Sequence, residues 1–416
     1  MDIIIGGGIT GLCYALFKNN DDYLIFEKEA ELGGYCRTIK RNGFVWDYSG
    51  HFFHFQDSDI KQLIMKRLYE SGNVLDIEKC THIKYKDLYI DYPFQKNIHQ
   101  LSKEEFIDCL FDLFTTEEKP VSTFKEMLYH KFGRSIAEKF LIPYNEKLYA
   151  CDLDRLDKDA MGRFFPYADK EQIIKNFRKS DNISYNNLFA YPKEGAIQYV
   201  NEVIAHLNPS NVRTKTEVKA IYPKQKRIIL SSGEEIGYDN LISTMPFPKL
   251  LKLSGFDFDS SIYTWNKVLV FNLGFDHKSN NKTDHWIYFP EGDYCFYRVG
   301  FYDNILNQER ASMYVELGFW KDEAINPTEW LGQVLFDLRK AGLISETHIL
   351  VDYEYIIMDP AYVHITHDSI RDVKMKKAIL SEYGIYSIGR YGSWTYCSIE
   401  DNIKESHALV EYLNTK

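Results

Sequence analysis

The chain opens on a short apolar run, Ile3-Ile4-Ile5, that stops at Gly6, and a second run, Tyr23-Leu24-Ile25-Phe26, ends at Glu27. Short apolar runs bounded by turn residues read as buried strands, so residues 1 to about 75 predict β-α-β units at the start of a doubly wound sheet. From Leu101 to about Lys179 the pattern turns helical. Ser102-x-x-Glu105 predicts a capped helix start, with Phe106, Leu110 and Phe114 following at helical spacing, and Thr123-x-x-Glu126 repeats the signal. Alternating polarity returns in residues 211–223 and 226–246, where a Ser-Gly turn predicts a β-meander. Segments 267–275, 285–290, 295–301 and 312–320 read as strands of a largely antiparallel sheet. The tail reads as a strand, a Gly-rich turn and a helix that returns to the first domain.

Between the first two strands lies Gly6-Gly7-Gly8-Ile9-Thr10-Gly11, with Glu27 at the end of the second. Gly6 permits a tight turn, Gly8 lets a pyrophosphate approach the backbone, and Gly11 lets the following helix pack on the sheet. The helix N-terminus then faces the phosphates, and Glu27 is placed to accept hydrogen bonds from a ribose. A purely structural glycine turn is the alternative. Its place after a strand, with the acid at the expected distance, favours dinucleotide binding.

At 416 residues the chain exceeds one hydrophobic core, so two or three domains are expected. A formal charge of -10 argues against a nucleic-acid surface, and an anionic ligand would need a local basic pocket. Seven cysteines lie apart without C-x-x-C spacing, which supports neither a disulfide framework nor a zinc site and fits a cytoplasmic protein. The first apolar stretch lacks a basic flank and is too short and glycine-rich to span a bilayer. Neither a signal peptide nor a transmembrane segment is expected.

The residues after Glu27 add a second signature. Leu32-Gly33-Gly34-Tyr35-Cys36-Arg37-Thr38 completes E-x5-GG-x2-R-T, which resembles an extension found in the flavoprotein group that includes amine oxidases, protoporphyrinogen oxidase and UDP-galactopyranose mutase. That resemblance implies FAD rather than NAD. Further motifs resemble the UDP-galactopyranose mutase family, nearer its eukaryotic branch: Gly43–His51 (G-F-x-W-D-x-G-G-H), Tyr92–Asn97 (Y-P-F-Q-N-N) and Pro143–Tyr149 (P-Y-N-x-K-V-W). Trp286–Pro290 (W-L-Y-F-P), Phe296–Arg298 (F-Y-R) and Gly389–Tyr396 (G-R-F-G-A-W-K-Y) complete the series in order and spacing. Ser49, Tyr149 and Thr395 depart from the pattern, where the family has Gly, Trp and Lys.

The resemblance implies an α/β protein with a Rossmann-like FAD-binding domain (1–77, 186–245 and 375–416), an inserted helical domain (98–185) and an antiparallel-sheet substrate domain (78–97 and 246–374). It implies interconversion of UDP-galactopyranose and UDP-galactofuranose, with N5 of reduced FAD attacking the anomeric carbon and no net redox change. Gly34, Arg37, Val218, Gly389, Arg390 and Asn402 would join Gly6, Gly8, Gly11 and Glu27 around FAD, with the dipole of a helix starting near Asp401-Asn402 aimed at the flavin C2 carbonyl. His51 would sit against N5 through its backbone carbonyl, although a histidine in an aromatic run is usually a packed core residue. Arg298 and Arg163, the latter on a mobile lid, match the family's diphosphate-binding arginines, and Tyr288, Tyr362 and Tyr396 its phosphate-contacting tyrosines. Tyr92, Phe94 and Gln95 would hold uracil, and Asn145, Tyr149, Asn186 and Trp286 the sugar. NAD(P)H is the candidate reductant, docking in the same cleft. A cytoplasmic location follows from the cysteine pattern and a role in surface-glycan synthesis from the Lys-, Asn- and Ile-rich composition; the sequence leaves the oligomeric state open, a homo-oligomer included, and no metal is expected. The alternative is an FAD-dependent oxidase or desaturase of the amine-oxidase or protoporphyrinogen-oxidase type, whose sites are usually apolar tunnels.

Overall fold

Ile3 and Ile4 are both fully buried, which requires cover on both faces of their strand. The computed structural model, which describes residues 1–116, 119–182 and 187–416, provides it. The strand Asp2–Ile5 is central in a five-stranded parallel sheet ordered Ile385–Ser387, Asn240–Ser243, Asp2–Ile5, Tyr23–Phe26, Val212–Arg213. Ile4 packs with Leu12, Val200 and Ile403 of the helices Ile9–Lys18, Ile197–Ile204 and Ile399–Asn414, and Ile3 packs on the opposite side with Val218 and Leu241. The tail returns as expected: Ser406 donates to the Thr10 carbonyl at 2.9 Å. The meander forms from Val218–Tyr222, Arg227–Leu230 and Glu235–Gly237, while Asn240–Ser243 leaves it for the parallel sheet.

The second sheet has seven strands in the order Leu350–Met358, Asn266–Phe275, Ser312–Trp320, Arg298–Phe301, Trp286–Tyr288, Thr81–Tyr85, Leu88–Asp91. All pairs are antiparallel except Trp286–Tyr288 with Thr81–Tyr85. Period-two alternation sorts its residues. Ile287, Val299 and Val315 face a core covered by the helix Pro327–Lys340, while Trp286, Tyr288 and Tyr314 face a second core shared with the helical segment. Leu350–Met358 is an edge strand that the hydrophobic pattern had not revealed, because every second residue from Val351 to Ile357 stays exposed.

The helical segment is built from Lys103–Phe114, Phe124–Ile136 and Ile142–Tyr149, the last two joined by a π turn. Thr123 and Glu126 form a reciprocal capping box, and Ser102 accepts from the Glu105 amide. The buried stripe of the first helix turns on Cys109 and Leu113 rather than Phe114, which is 52% exposed. Among the described residues no helix is long and apolar enough to cross a membrane.

Candidate active site

A cleft of about 810 Å³ runs from the first glycine turn, between the two sheets, to the inward face of the seven-stranded sheet. At its first end Gly6, at φ 107°, turns the chain out of its strand. The next helix begins at Gly8 with no side-chain cap, so its first amides face the cleft. A side chain at Gly11 would put its Cβ 2.2 Å from the Gly6 carbonyl oxygen, so glycine there permits the helix to cross the strand end. Gly8 is different: a Cβ there would meet only the Gly34 Cα, at 4.0 Å. The two glycine motifs therefore face each other across a gap bare of side chains, the shape a pyrophosphate needs. Glu27 is buried, and its two oxygens accept from the amides of Gly7 at 2.7 Å and Glu29 at 2.8 Å. It thus fixes the glycine turn, and each oxygen keeps a lone pair for a ribose hydroxyl. Arg37 donates to the Gly34 carbonyl at 2.9 Å and lies over the Tyr48 ring, and Val218 closes the far wall.

The middle of the cleft joins His51, Gly389, Arg390 and Asn402. His51 Nδ1 donates to the Ser49 carbonyl at 3.1 Å, and burial pushes the imidazole down to about 4, so the ring is neutral with Nε2 as its acceptor. The Arg390 amide donates to Asn402 Oδ1 at 2.9 Å. Its guanidinium lies over the rings of Tyr396 and Tyr362, and its hydrogen bonds go to the carbonyls of Cys397 and Ala361. Among the described residues no carboxylate neutralises it, which makes Arg390 the local positive charge that an acidic chain needs to attract an anion. The last helix starts at Ile399, two residues earlier than expected, because Ser398 and Asp401 form its capping box.

At the inner end, strand register sets one transverse row: Tyr288 opposite Arg298, and Arg298 opposite Glu316. Arg298 donates from Nε at 2.7 Å and from Nη2 at 2.8 Å to the two oxygens of Glu316. Burial works against the guanidinium charge, but Glu316 and, with it, the neighbouring Tyr314 and Tyr362 hold its pKa well above the usual arginine value. Nη1 remains available to the cleft. Tyr92 and Tyr144 pack on Tyr288, Tyr362 stacks on Tyr396, and Trp286 stacks on Phe52. Asn145 Oδ1 and the hydroxyls of Tyr297 and Tyr314 are buried on this wall without a partner among the described residues. Orphaned polar atoms in a cleft mark where a polar ligand completes the hydrogen bonding.

Several expected residues stand elsewhere. Phe94 and Gln95 are fully buried behind the cleft: Phe94 stacks on Phe140, and the Gln95 amide is held by the Pro166 carbonyl. Tyr149 is buried edge-on to Tyr362 and supports it from behind. Arg163 does not line the cleft with Arg298. Its guanidinium binds Asp401 at 2.6 Å and Gln56 at 2.8 Å at the N-terminus of the last helix. Asn186 lies outside the described residues. The sequence reading missed Glu316, although a lone acid between Val315 and Leu317 in an apolar strand signals a buried ion pair. It also left Lys147 without a role. That ammonium donates to the carbonyls of Phe289, Glu291, Tyr294 and Phe296, tying the helical segment to the loop after Tyr288.

Comparison with known proteins agrees with this geometry. The NAD(P)-binding Rossmann-like domain family matches residues 4–68. Coproporphyrinogen III oxidase of Bacillus subtilis (strain 168) is 21% identical over 98% of this chain and 96% of its own length. A crystal structure of reduced UDP-galactopyranose mutase superposes with a TM-score of 0.91 at 23% identity, covering 100% of this chain and 95% of that one. A protein assigned as a protoporphyrinogen oxidase from Exiguobacterium sp. 255-15 superposes at 0.77 with 16% identity, covering 100% and 98%. From its glycine turn to its last helix, the chain has the α/β fold of UDP-galactopyranose mutase, with a Rossmann-like dinucleotide cradle opening onto the face of a seven-stranded sheet.

Proposed function

We propose that this protein is an FAD-dependent nucleotide-sugar mutase that interconverts UDP-galactopyranose and UDP-galactofuranose. The observation that carries the reading is the polar inner wall: the row Tyr288–Arg298–Glu316, flanked by Tyr362, Tyr396 and unpartnered hydroxyls, continuous with the dinucleotide cradle. An oxidase tunnel for a hydrophobic amine would be apolar there. The cradle suits FAD, because Gly8 and Gly34 leave room for a pyrophosphate and Glu27 keeps acceptors for a ribose. Bound in its reduced state, FAD supplies the nucleophilic nitrogen for displacement at the anomeric carbon.

The protein's own groups supply charge and orientation. Arg390, lying over the rings of Tyr362 and Tyr396 with no carboxylate partner among the described residues, favours anions at the middle of the cleft. In this reading the guanidinium of Arg298 and the hydroxyls of Tyr288, Tyr362 and Tyr396, all lining the cleft, would hold the departing diphosphate, while Asn145 and Trp286 would give polar and apolar contact to the sugar. His51, neutral and fixed by Ser49, acts as an acceptor and not as a cation. Arg163, paired with Asp401 at the N-terminus of the last helix, would exchange that partner for the diphosphate when substrate is bound.

The test is a panel of UDP-, TDP- and GDP-sugars with dithionite-reduced and with oxidised protein. Isomerisation by the reduced form only, without one reductant consumed per turnover, is expected. Substrate-dependent hydrogen peroxide with a porphyrinogen or an amine would instead establish the oxidase reading, which the full-length likeness to the Bacillus subtilis enzyme supports.

A further inference from the structure

We propose that Cys80, His82 and Asp284 form a binding site for a divalent cation of the zinc class, outside the cleft and on the outer strands of the seven-stranded sheet. Cys80 Sγ, a ring nitrogen of His82 and an Asp284 carboxylate oxygen all lie within 4.8 Å of one another. His82 lies on the strand Thr81–Tyr85 and Cys80 immediately precedes it, two residues earlier, which brings both side chains to the same cluster. Asp284 comes just before Trp286–Tyr288, which pairs in parallel with Thr81–Tyr85, and the register Trp286 opposite Thr81 brings it alongside. None of the three lines the cleft.

Each donor is held by a second partner. His82 Nδ1 faces Asp284 at 2.5 Å, while its Nε2 lies 3.2 Å from Asp91. A histidine with one nitrogen turned to the ligand cluster and the other oriented by a carboxylate is the usual arrangement at a metal. Asp284 Oδ2 accepts from the Asn281 side chain at 2.6 Å, and the Asp284 amide donates to Asn281 Oδ1 at 2.9 Å. The Cys80 amide donates to His285 Nδ1 at 3.0 Å, which fixes the backbone that carries the thiol. Thiolate, imidazole and carboxylate together suit zinc or cobalt, and not the all-oxygen shells of magnesium or calcium. Binding would release to solvent the Cys80 thiol proton and the proton shared between His82 and Asp284, leaving a fourth position for water. Asp284 is almost fully buried and the His82 side chain is 28% exposed, so the site opens to solvent on one side. Thr81 Oγ1 donates to the Trp286 carbonyl at 2.6 Å, so a cation here would clamp the strand that presents Trp286 and Tyr288 to the cleft.

The experiment titrates the chelator-treated full-length protein with Co2+, read as a difference spectrum, and then competes with Zn2+. One equivalent is expected, with a sulfur-to-cobalt charge-transfer band and tetrahedral d–d bands that Zn2+ abolishes. Cys80→Ser should lose the charge-transfer band, and His82→Gln and Asp284→Asn should bind Co2+ at least ten-fold more weakly. Thermal unfolding of each variant in chelator checks that it folds. Should the buried Asp284→Asn fail to fold, Cys80→Ser and His82→Gln carry the test. Absence of the band in the wild type, or a band unchanged in Cys80→Ser, overturns the site and leaves His82 as a charged bridge between Asp91 and Asp284.

Discussion

Removing the guanidinium of Arg298 would strand a carboxylate: Glu316 is 1% exposed, and two parallel charge-assisted hydrogen bonds at 2.7 and 2.8 Å hold it. Deleting one member of a buried ion pair costs about 3 to 5 kcal/mol. Because the Arg298 side chain is 20% exposed, water can partly replace it, and we expect the lower end, about 3 kcal/mol, for Arg298→Ala. The double variant Arg298→Met/Glu316→Leu removes both charges at similar volume and should lie within about 1 kcal/mol of the wild type. The double variant should therefore be more stable than Arg298→Ala by about 2 kcal/mol or more. Urea denaturation at neutral pH measures all three. Calorimetry with UDP measures the other consequence: with Nε and one Nη2 hydrogen committed to Glu316, the Nη1 hydrogens and the second of Nη2 remain for the phosphates, and their loss should weaken binding by about 1.5 to 3 kcal/mol, roughly ten-fold to a hundred-fold or more. If Arg298→Ala is as stable as the double variant, the pair is not buried as described. If UDP affinity is unchanged, Arg298 is not at the phosphates and the oxidase reading takes first place.

Gly8→Ala should fold with stability within about 1 kcal/mol of the wild type, because its Cβ meets only Gly34, yet lose most bound FAD. Flavin absorbance retained at the wild-type level after gel filtration would rule out the cradle. Gly11→Ala, whose Cβ would lie 2.2 Å from a backbone oxygen, should lose about 1 to 3 kcal/mol by overpacking whether or not FAD is present, as thermal unfolding with and without added FAD would show. Burial pushes His364 down to about 4 between Thr264 and the Tyr149 carbonyl, against about 6.5 when unfolded. A depressed folded value contributes stability that is present above about 6.5 and lost as pH falls through about 4. The stability difference between wild type and His364→Gln should therefore shrink by about 3 kcal/mol from pH 7 to pH 4, and a difference constant with pH would refute a neutral buried imidazole.

Local physics made much of the fold legible in one dimension. The apolar runs at Ile3–Ile5 and Tyr23–Phe26, the turn at Gly6 and the cap at Thr123 each depend on neighbours within a few residues, so pattern alone located them. The alternation in Trp286-Ile287-Tyr288 likewise encoded which residues face the cleft. The partners were a different matter. Phe94 and Gln95 sit in a recognisable motif, but Phe140 and Pro166, which line the cleft, pack between it and them. Arg163 sits beside a glycine in a polar stretch, and only the return of the last helix gave it Asp401. Glu316 meets Arg298, and Asp284 meets Cys80 and His82, through strand register. The first contact spans 18 residues and hangs on the register of neighbouring strands, while the second joins segments about 200 residues apart, and no short-range preference records either.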